Sequence, residues 1–180
     1  IEIPMVWKGD LASHGAAIAI ILSLYVYTRR VLDRSLLWML DRVVVTVALA
    51  GFFIRMGNLF NHEIIGVASD VPWAFVFSRA YVPDPLTPRH PAQLYEALCY
   101  LFIFGLMFRA FWKTRIAEYE GRLFGWFLVS VFTARFLIEF VKEDQVAFEA
   151  SMVLNMGQWL SIPLVAVGAF FVLRPLSQRK

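Results

Sequence analysis

Five long apolar stretches dominate this chain of 180 residues and restrict what it can fold into. A helix that crosses a bilayer needs about 20 predominantly apolar residues, and each stretch approaches that length. Charged residues make up 17% of the chain and hydrophobic residues 59%, which leaves little polar sequence for a soluble domain. We therefore predict an all-α fold: a polytopic transmembrane helix bundle that forms a single membrane domain over residues 1–180, with spans near residues 12–28, 36–59, 92–112, 121–142 and 155–173.

The connection between the second and third spans, residues 60–90, has a different composition. It contains prolines at positions 72, 83, 85 and 88 and a short alternating piece at residues 73–77. Such residues are typical of turns and short strands, not of a spanning helix. We predict a mixed extramembrane loop that includes one hairpin.

Lysine and arginine are distributed unequally between the two sides of the predicted bundle. Four basic residues, Lys8, Arg79, Arg89 and Lys142, fall on one side. Because cytoplasmic connections carry the excess of basic residues, the richer side predicts a cytoplasmic carboxy terminus, with Ile1 outside. This topology also accounts for the net charge of +3, so nucleic acid is not an expected partner. The ten residues of the richer side are Arg29, Arg30, Arg34, Arg109, Lys113, Arg115, Arg122, Arg174, Arg179 and Lys180.

Two arginines, Arg55 and Arg135, lie inside apolar stretches. An arginine near the bilayer centre costs about 2.5 to 3.5 kcal/mol on insertion scales, so each needs compensation and is a candidate for function. Asn58 follows Arg55 by three residues and Glu139 follows Arg135 by four, which places each pair on one helical face. Two structural alternatives stay open: Arg135 and Glu139 form a simple ion pair, and Arg55 extends to the membrane interface.

The predicted topology brings further polar residues to the outer half of the membrane. His14 begins the first span, Glu63 follows the second, and the string RHPAQLYE, residues 89–96, precedes the third. A polar pocket that faces lipid of the outer leaflet follows from this placement. For His14 alone, local capping of the first helix is the more ordinary interpretation. Nothing in the chain indicates a metal or a cofactor, and a lipid-binding or transport subunit remains the alternative class of protein.

Several strings together resemble the prolipoprotein diacylglyceryl transferase family. They are SHG at residues 13–15, RMGNLFNHEIIG at 55–66, RHPAQLYE at 89–96, ARFLIEFVKED from residue 134, and NMGQWLSIPL from residue 155. The resemblance implies a protein of seven spans, of which this chain looks like the carboxy-terminal five. We therefore expect upstream sequence, including a tyrosine that matters for activity in the family, to be missing here, and the 180 residues alone to be inactive or nearly so.

The family resemblance implies a reaction in the bacterial cytoplasmic (inner) membrane. A diacylglyceryl group passes from phosphatidylglycerol to the lipobox cysteine thiol of a prolipoprotein, so the implied partners are phosphatidylglycerol, the lipobox peptide and membrane lipid. A thiol with a pKa near 8.5 is only slightly ionised at neutral pH, and His14 matches the family's candidate base. Arg55 and Arg135 are expected at the lipid phosphate, because arginine's planar fork suits phosphate oxygens.

The remaining family-matched residues are expected to bind substrate or to support those that do. Asn58 and Glu63 would orient Arg55 or contact the glycerol hydroxyls, and Glu139 would hold Arg135. For the residues of the RHPAQLYE string, substrate contact and structural support are equally compatible with the sequence: Arg89, His90, Gln93, Tyr95 and Glu96.

Overall fold

The computed structural model describes residues 13–143 and 153–175, and the side chains of residues 13–17 lie outside that description. Within these ranges the chain forms α-helices joined by short turns and one small sheet. The predicted all-α fold is therefore confirmed. The helices are α1 (Ser13–Tyr27), α2 (Leu36–Asn61), α3 (Ala92–Lys113), α4 (Arg122–Ile138) and α5 (Met156–Leu173), and the strands are β1 (Phe75–Val76) and β2 (Pro88–Arg89).

Four helices of the described residues are long and apolar enough to cross a membrane. They are α2, α3, α4 with its extension to Val141, and α5, which agree with the second to fifth predicted spans. The predicted span at 12–28 corresponds to α1, which has 15 residues and is shorter than the other four helices. This first span stays a prediction, because residues 1–12 lie outside the described part.

The chain divides into two compact units, residues 1–40 and 41–180. In the first unit, α1 continues into a π-helical turn, Thr28–Leu32, which ends at Asp33 with a φ of 49°. The Thr28 hydroxyl donates to the carbonyl oxygen of Tyr25 at 3.0 Å. Arg29 lies 5.8 Å from the centre of the Tyr25 ring, an arrangement favourable for a cation above an aromatic face.

The apolar core of the second unit lies where α2, α3 and α4 meet. Helix α5 packs closely against α4, since a methyl group added at Gly125 would lie 2.9 Å from the Gly168 carbonyl oxygen. Small residues at such a crossing let two helix backbones approach, as is common in membranes. The buried core residues are Val44, Val45, Ala48, Tyr100, Ile103, Met107, Leu123 and Val131.

A buried carboxylate joins α2 to the start of α4. Asp41 has no exposed surface. Its two oxygens accept hydrogen bonds from the backbone N–H groups of Gly121, at 2.5 Å, and Phe124, at 2.8 Å. These N–H groups belong to the first turn of α4, where the helix itself provides no partner. Asp41 therefore caps a helix that lies 80 residues further along the chain.

The loop of residues 62–90 contains the predicted strand, at Phe75–Val76 within residues 73–77. This strand pairs antiparallel with β2 in the register Phe75 to Arg89 and Val76 to Pro88. Isolated bridges join Gly66 to Lys142 and Ala68 to Arg89. The segment after α4 thus closes against the loop, which ties the ends of three helices together at one end of the bundle.

Candidate functional site

Arg55 lies at the centre of a line of polar contacts at the loop end of α2. Its side chain is 12% exposed, and its Nε atom lies 2.5 Å from Oε2 of Glu96. Arg55 Nη1 donates to Oδ1 of Asn58 at 3.0 Å, and Asn58 Nδ2 donates to Oε2 of Glu63 at 2.9 Å. Glu63 is exposed, so the line leads from a buried carboxylate to the surface. The structure therefore brings Arg55, Asn58 and Glu63 together.

Glu96 connects Arg55 to a second cation. Lys142, whose side chain is 2% exposed, donates through Nζ to Glu96 Oε1 and to Glu139 Oε2, each at 2.9 Å. The resulting network, Arg55–Glu96–Lys142–Glu139, contains two positive and two negative charges and joins α2, α3 and the end of α4. Because buried charges are costly unless paired, each member depends on its neighbours. From the sequence, Glu96 is a member of the RHPAQLYE string with no role of its own assigned, and Lys142 is not among the candidate site residues.

A sequence signal for Glu96 does exist in its helical spacing. Glu96 follows Gln93 by three residues and precedes Tyr100 by four, which places all three on one face of α3. All three are buried. A glutamate on the face of a spanning helix that also carries an amide and a phenol indicates a polar interior contact.

Arg135 differs from Arg55 in its contacts. It is half-buried, and both arginines interact electrostatically with the Tyr100 side chain. Among the described residues, no ion pair joins Arg135 to a carboxylate. The expected contact between Arg135 and Glu139 is not present there, because the Glu139 carboxylate faces Lys142. Arg135 therefore adds one positive charge beside a network that is already balanced.

The start of α5 fixes Glu139 from the other side. Asn155 caps α5: its side chain accepts from Gln158 N at 3.0 Å, and its N–H donates to Gln158 Oε1 at 3.1 Å. This reciprocal pair satisfies two groups at the helix start and fixes its position. A methyl group added at Gly157 would lie 2.6 Å from Glu139 Cδ. The absence of a side chain at Gly157 thus makes room for the Glu139 carboxylate.

The RHPAQLYE string mainly holds the loop in this structure. Gln93, which is fully buried, donates through Nε2 to the backbone oxygen of Glu63 at 2.5 Å. Arg89 donates to Glu143 Oε2 at 2.8 Å. His90 Nδ1 lies 3.0 Å from the Tyr95 hydroxyl, which accepts from the indole of Trp73 at 2.7 Å.

The backbone around Glu63 adopts unusual angles. His62 has a φ of 62° and Ile64 a φ of 54°. A branched side chain such as that of Ile64 rarely occupies this left-handed region, which costs of the order of 1–3 kcal/mol and persists only when the surroundings enforce it. His62 Nδ1 accepts from the N–H of Arg79 at 3.2 Å, and the Arg79 side chain donates to the Phe60 carbonyl at 2.5 Å. These contacts direct Glu63 toward Asn58.

His14 lies in α1, but its side chain is outside the described part of the structure, so its approach to the arginines stays a prediction. Within the described ranges no group of three or more His, Cys, Asp or Glu side chains is placed to hold a metal ion.

The fold and this site define an integral membrane protein with a charge-balanced network at one end of its helices. The model of the family described as prolipoprotein diacylglyceryl transferase matches residues 1–174. The chain belongs to that family.

Several curated relatives carry the name phosphatidylglycerol–prolipoprotein diacylglyceryl transferase. The relative from Chloroherpeton thalassium is 46% identical over 177 residues, which cover 98% of this chain and 65% of the relative. The relative from Tolumonas auensis is 45% identical, covering 96% and 65%, and that from Porphyromonas gingivalis is 42% identical, covering 99% and 68%. The chain thus spans about two thirds of the length of these relatives.

Proposed function

We propose that this chain takes part in transferring the diacylglyceryl group of phosphatidylglycerol to the lipobox cysteine thiol of bacterial prolipoproteins, the first step of lipoprotein maturation. The observation that carries the proposal is the charge of the site. Arg55, Lys142, Glu96 and Glu139 balance one another, and Arg135 adds one positive charge beside them. Among the described residues no carboxylate pairs with Arg135, and a phosphate diester would supply that negative charge, because the exposed Glu63 joins the site only through Asn58.

Arg55 retains donors for a phosphate. A guanidinium offers five N–H groups, and the contacts of Arg55 with Glu96, Asn58 and Tyr100 leave others available. Charge-assisted hydrogen bonds of this kind are about twice as strong as neutral ones. The exposed Glu63 carboxylate, held by Asn58, is suited to accept hydrogen bonds from the hydroxyls of a glycerol headgroup. These features favour a transferase that uses phosphatidylglycerol over a transport subunit.

The proposed reaction needs a base and an anion site. The thiol gives its proton to the base, sulfur forms a bond to the glyceryl carbon, and the carbon–oxygen bond to phosphate breaks. Its electron pair stays on the departing glycerol phosphate, which gains one negative charge. Arg55 and Arg135 would stabilise that charge as it develops. His14 would act as the base.

The proposal also covers the orientation of the protein in the membrane and its partners. Basic residues gather at the ends of α3 and α4 that lie away from the site, which supports a cytoplasmic position for that side of the membrane. The site would then face the outer half of the bacterial inner membrane, where a lipobox peptide would meet it. Nucleic acid is not a proposed partner.

The variant Arg55→Lys tests the phosphate contact. Lysine keeps the positive charge but lacks the planar fork, so we expect diacylglyceryl transfer to fall about 10-fold or more. The assay uses the protein expressed from its complete reading frame, phosphatidylglycerol vesicles and a lipobox peptide. Arg42→Lys, the same change at the other end of α2, is the matched control. Undiminished transfer by Arg55→Lys contradicts the bidentate role.

The variant His14→Gln tests the base. General base catalysis contributes about 100-fold or more, so transfer at neutral pH should fall by that factor. The rise of activity with pH should also move from the range of an imidazole, near about 6.5, to that of a free thiol, near about 8.5. A lower rate with an unchanged pH profile would instead identify His14 as a helix cap.

A further inference from the structure

Two adjoining clefts lie at the end of the bundle opposite the candidate site. Helix α3 begins at the site with Gln93 and Glu96 and ends at Lys113, and α4 returns from Arg122 to the site. The clefts occupy the turn between these helices, so they share no lining residue with the network around Glu96.

The first cleft is apolar. It has a volume of about 250 Å³ and opens between α3 and α4. Ser130 at its edge turns its hydroxyl to the carbonyl oxygen of Trp126, at 2.6 Å, and so presents no unsatisfied donor to the cleft. Within a membrane such a lining suits a hydrocarbon chain. The principal lining residues are Ile103, Leu106, Met107, Ala110, Leu123 and Trp126.

The second cleft is basic and continuous with the first, because both are lined by Ile116 and Trp126. It has a volume of about 300 Å³ and is completed by Thr114, Arg115, Tyr119 and Arg122. The Arg115 side chain is 84% exposed, and its Nε lies a distant 3.9 Å from Glu118. Arg122 donates to the carbonyl oxygen of Val172, a neutral acceptor that leaves its charge in place.

The charge at this end of the bundle is positive among the described residues. Apart from Asp41 and Arg42 of α2, whose charges offset each other, two acidic residues, Glu118 and Glu120, lie at this end with five basic ones. The first N–H groups of α4 are occupied by Asp41, so the attraction for an anion comes from guanidinium groups. The basic residues are Arg109, Lys113, Arg115, Arg122 and Arg174.

We propose that the two clefts together bind one anionic phospholipid of the leaflet opposite the candidate site. Its phosphate lies between Arg115 and Arg122, and one acyl chain enters the apolar cleft past Trp126. Tryptophan prefers this depth, at the boundary between headgroups and hydrocarbon. The bound lipid is not a substrate, since the clefts lie at the other end of the spanning helices; it fills the space between α3 and α4.

The experiment compares brominated lipids as quenchers of Trp126 fluorescence. The chain is reconstituted in phosphatidylcholine vesicles with a small fraction of brominated phosphatidylglycerol or of brominated phosphatidylcholine. The contribution of Trp126 is the difference from the variant Trp126→Phe. We expect stronger quenching by brominated phosphatidylglycerol, and Arg115→Gln should lower that preference about fivefold, since each basic residue at an anionic surface contributes by roughly that factor. Leu106→Phe should reduce quenching by both lipids.

Matched controls distinguish binding in the two clefts from general attraction of anionic lipid to a basic surface. Arg109→Gln removes an exposed charge at the same end of α3 but lines neither cleft, and Leu101→Phe repeats the apolar change elsewhere on α3. Both should leave quenching unchanged. Equal quenching of Trp126 by the two lipids overturns the proposal, as does a loss in Arg109→Gln equal to that in Arg115→Gln. Transfer activity is not measured, so the outcome is independent of the proposed function.

Discussion

Replacing Glu96 by glutamine is expected to unfold or inactivate this protein more severely than any other single change at the site. Glutamine keeps the shape of the side chain but removes the charge that faces both Arg55 and Lys142. Removing one partner of a buried ion pair typically costs about 3–5 kcal/mol, and here two cations lose their partner. The free energy of unfolding in detergent and the transfer rate per folded molecule should both fall.

The comparison with Lys142→Gln shows whether Glu96 positions Arg55 or only stabilises the bundle. Lys142→Gln also removes one buried charge from the network, but it leaves the contact between Glu96 and Arg55 in place. If Glu96 positions Arg55, the rate per folded molecule falls about 100-fold further in Glu96→Gln, as displacing a reacting group by about 1 Å can cause. Equal rates per folded molecule would reduce Glu96 to a structural role.

Alanine at Gly66 is expected to detach the loop from the helices. A methyl group there would lie 2.5 Å from the His90 carbonyl oxygen and 2.7 Å from that of Val141. Both atoms belong to the backbone, so no side-chain rotation relieves the contact. The hydrogen bond from the Gly66 N–H to the His90 carbonyl oxygen, 3.0 Å in the native chain, should be lost as well. We expect a loss of about 3 kcal/mol in the free energy of unfolding and faster proteolysis within residues 67–87.

Gly57 supplies the matched control for this change. It lies in α2, two residues from Arg55, and a methyl group added there meets no atom within 4 Å. Alanine is the better helix former, by about 1 kcal/mol in soluble hosts, so Gly57→Ala should be neutral or stabilising. Unfolding free energies for Gly66→Ala and Gly57→Ala that agree within about 0.5 kcal/mol would contradict the close approach at Gly66.

The parts of this structure that follow from local spacing are predictable from sequence. Long apolar stretches predict the helices α2 to α5 and their approximate bounds. The contact of Arg55 with Asn58 joins neighbours on one helical face, three residues apart. The strand at residues 75–76 falls within the alternating piece. Each of these features depends on residues that are close along the chain.

Contacts between distant residues are not predictable in this way. Glu96 meets Arg55 across two helices, and no periodicity within α2 or α3 indicates that pairing. Glu139 pairs with Lys142 and not with the expected Arg135, for a local reason that only the structure shows. Helix α4 ends at Ile138 and continues as a 3-10 turn, Glu139–Val141. A tighter turn aligns residues three apart, so Glu139 faces Lys142 and not Arg135.

The cap that Asp41 places on α4 has a consequence for the order in which the bundle assembles. Chains are synthesised from the amino terminus, so α2 is made before Gly121 and Phe124 exist. Until then the Asp41 carboxylate has neither of the N–H partners that it holds in the folded protein, and an unpaired carboxylate is costly inside a bilayer. We therefore expect the second turn of α2, which carries Asp41, to reach its final depth after α4 has been inserted. Helix α4, which is synthesised later, thus stabilises the position of the earlier helix α2.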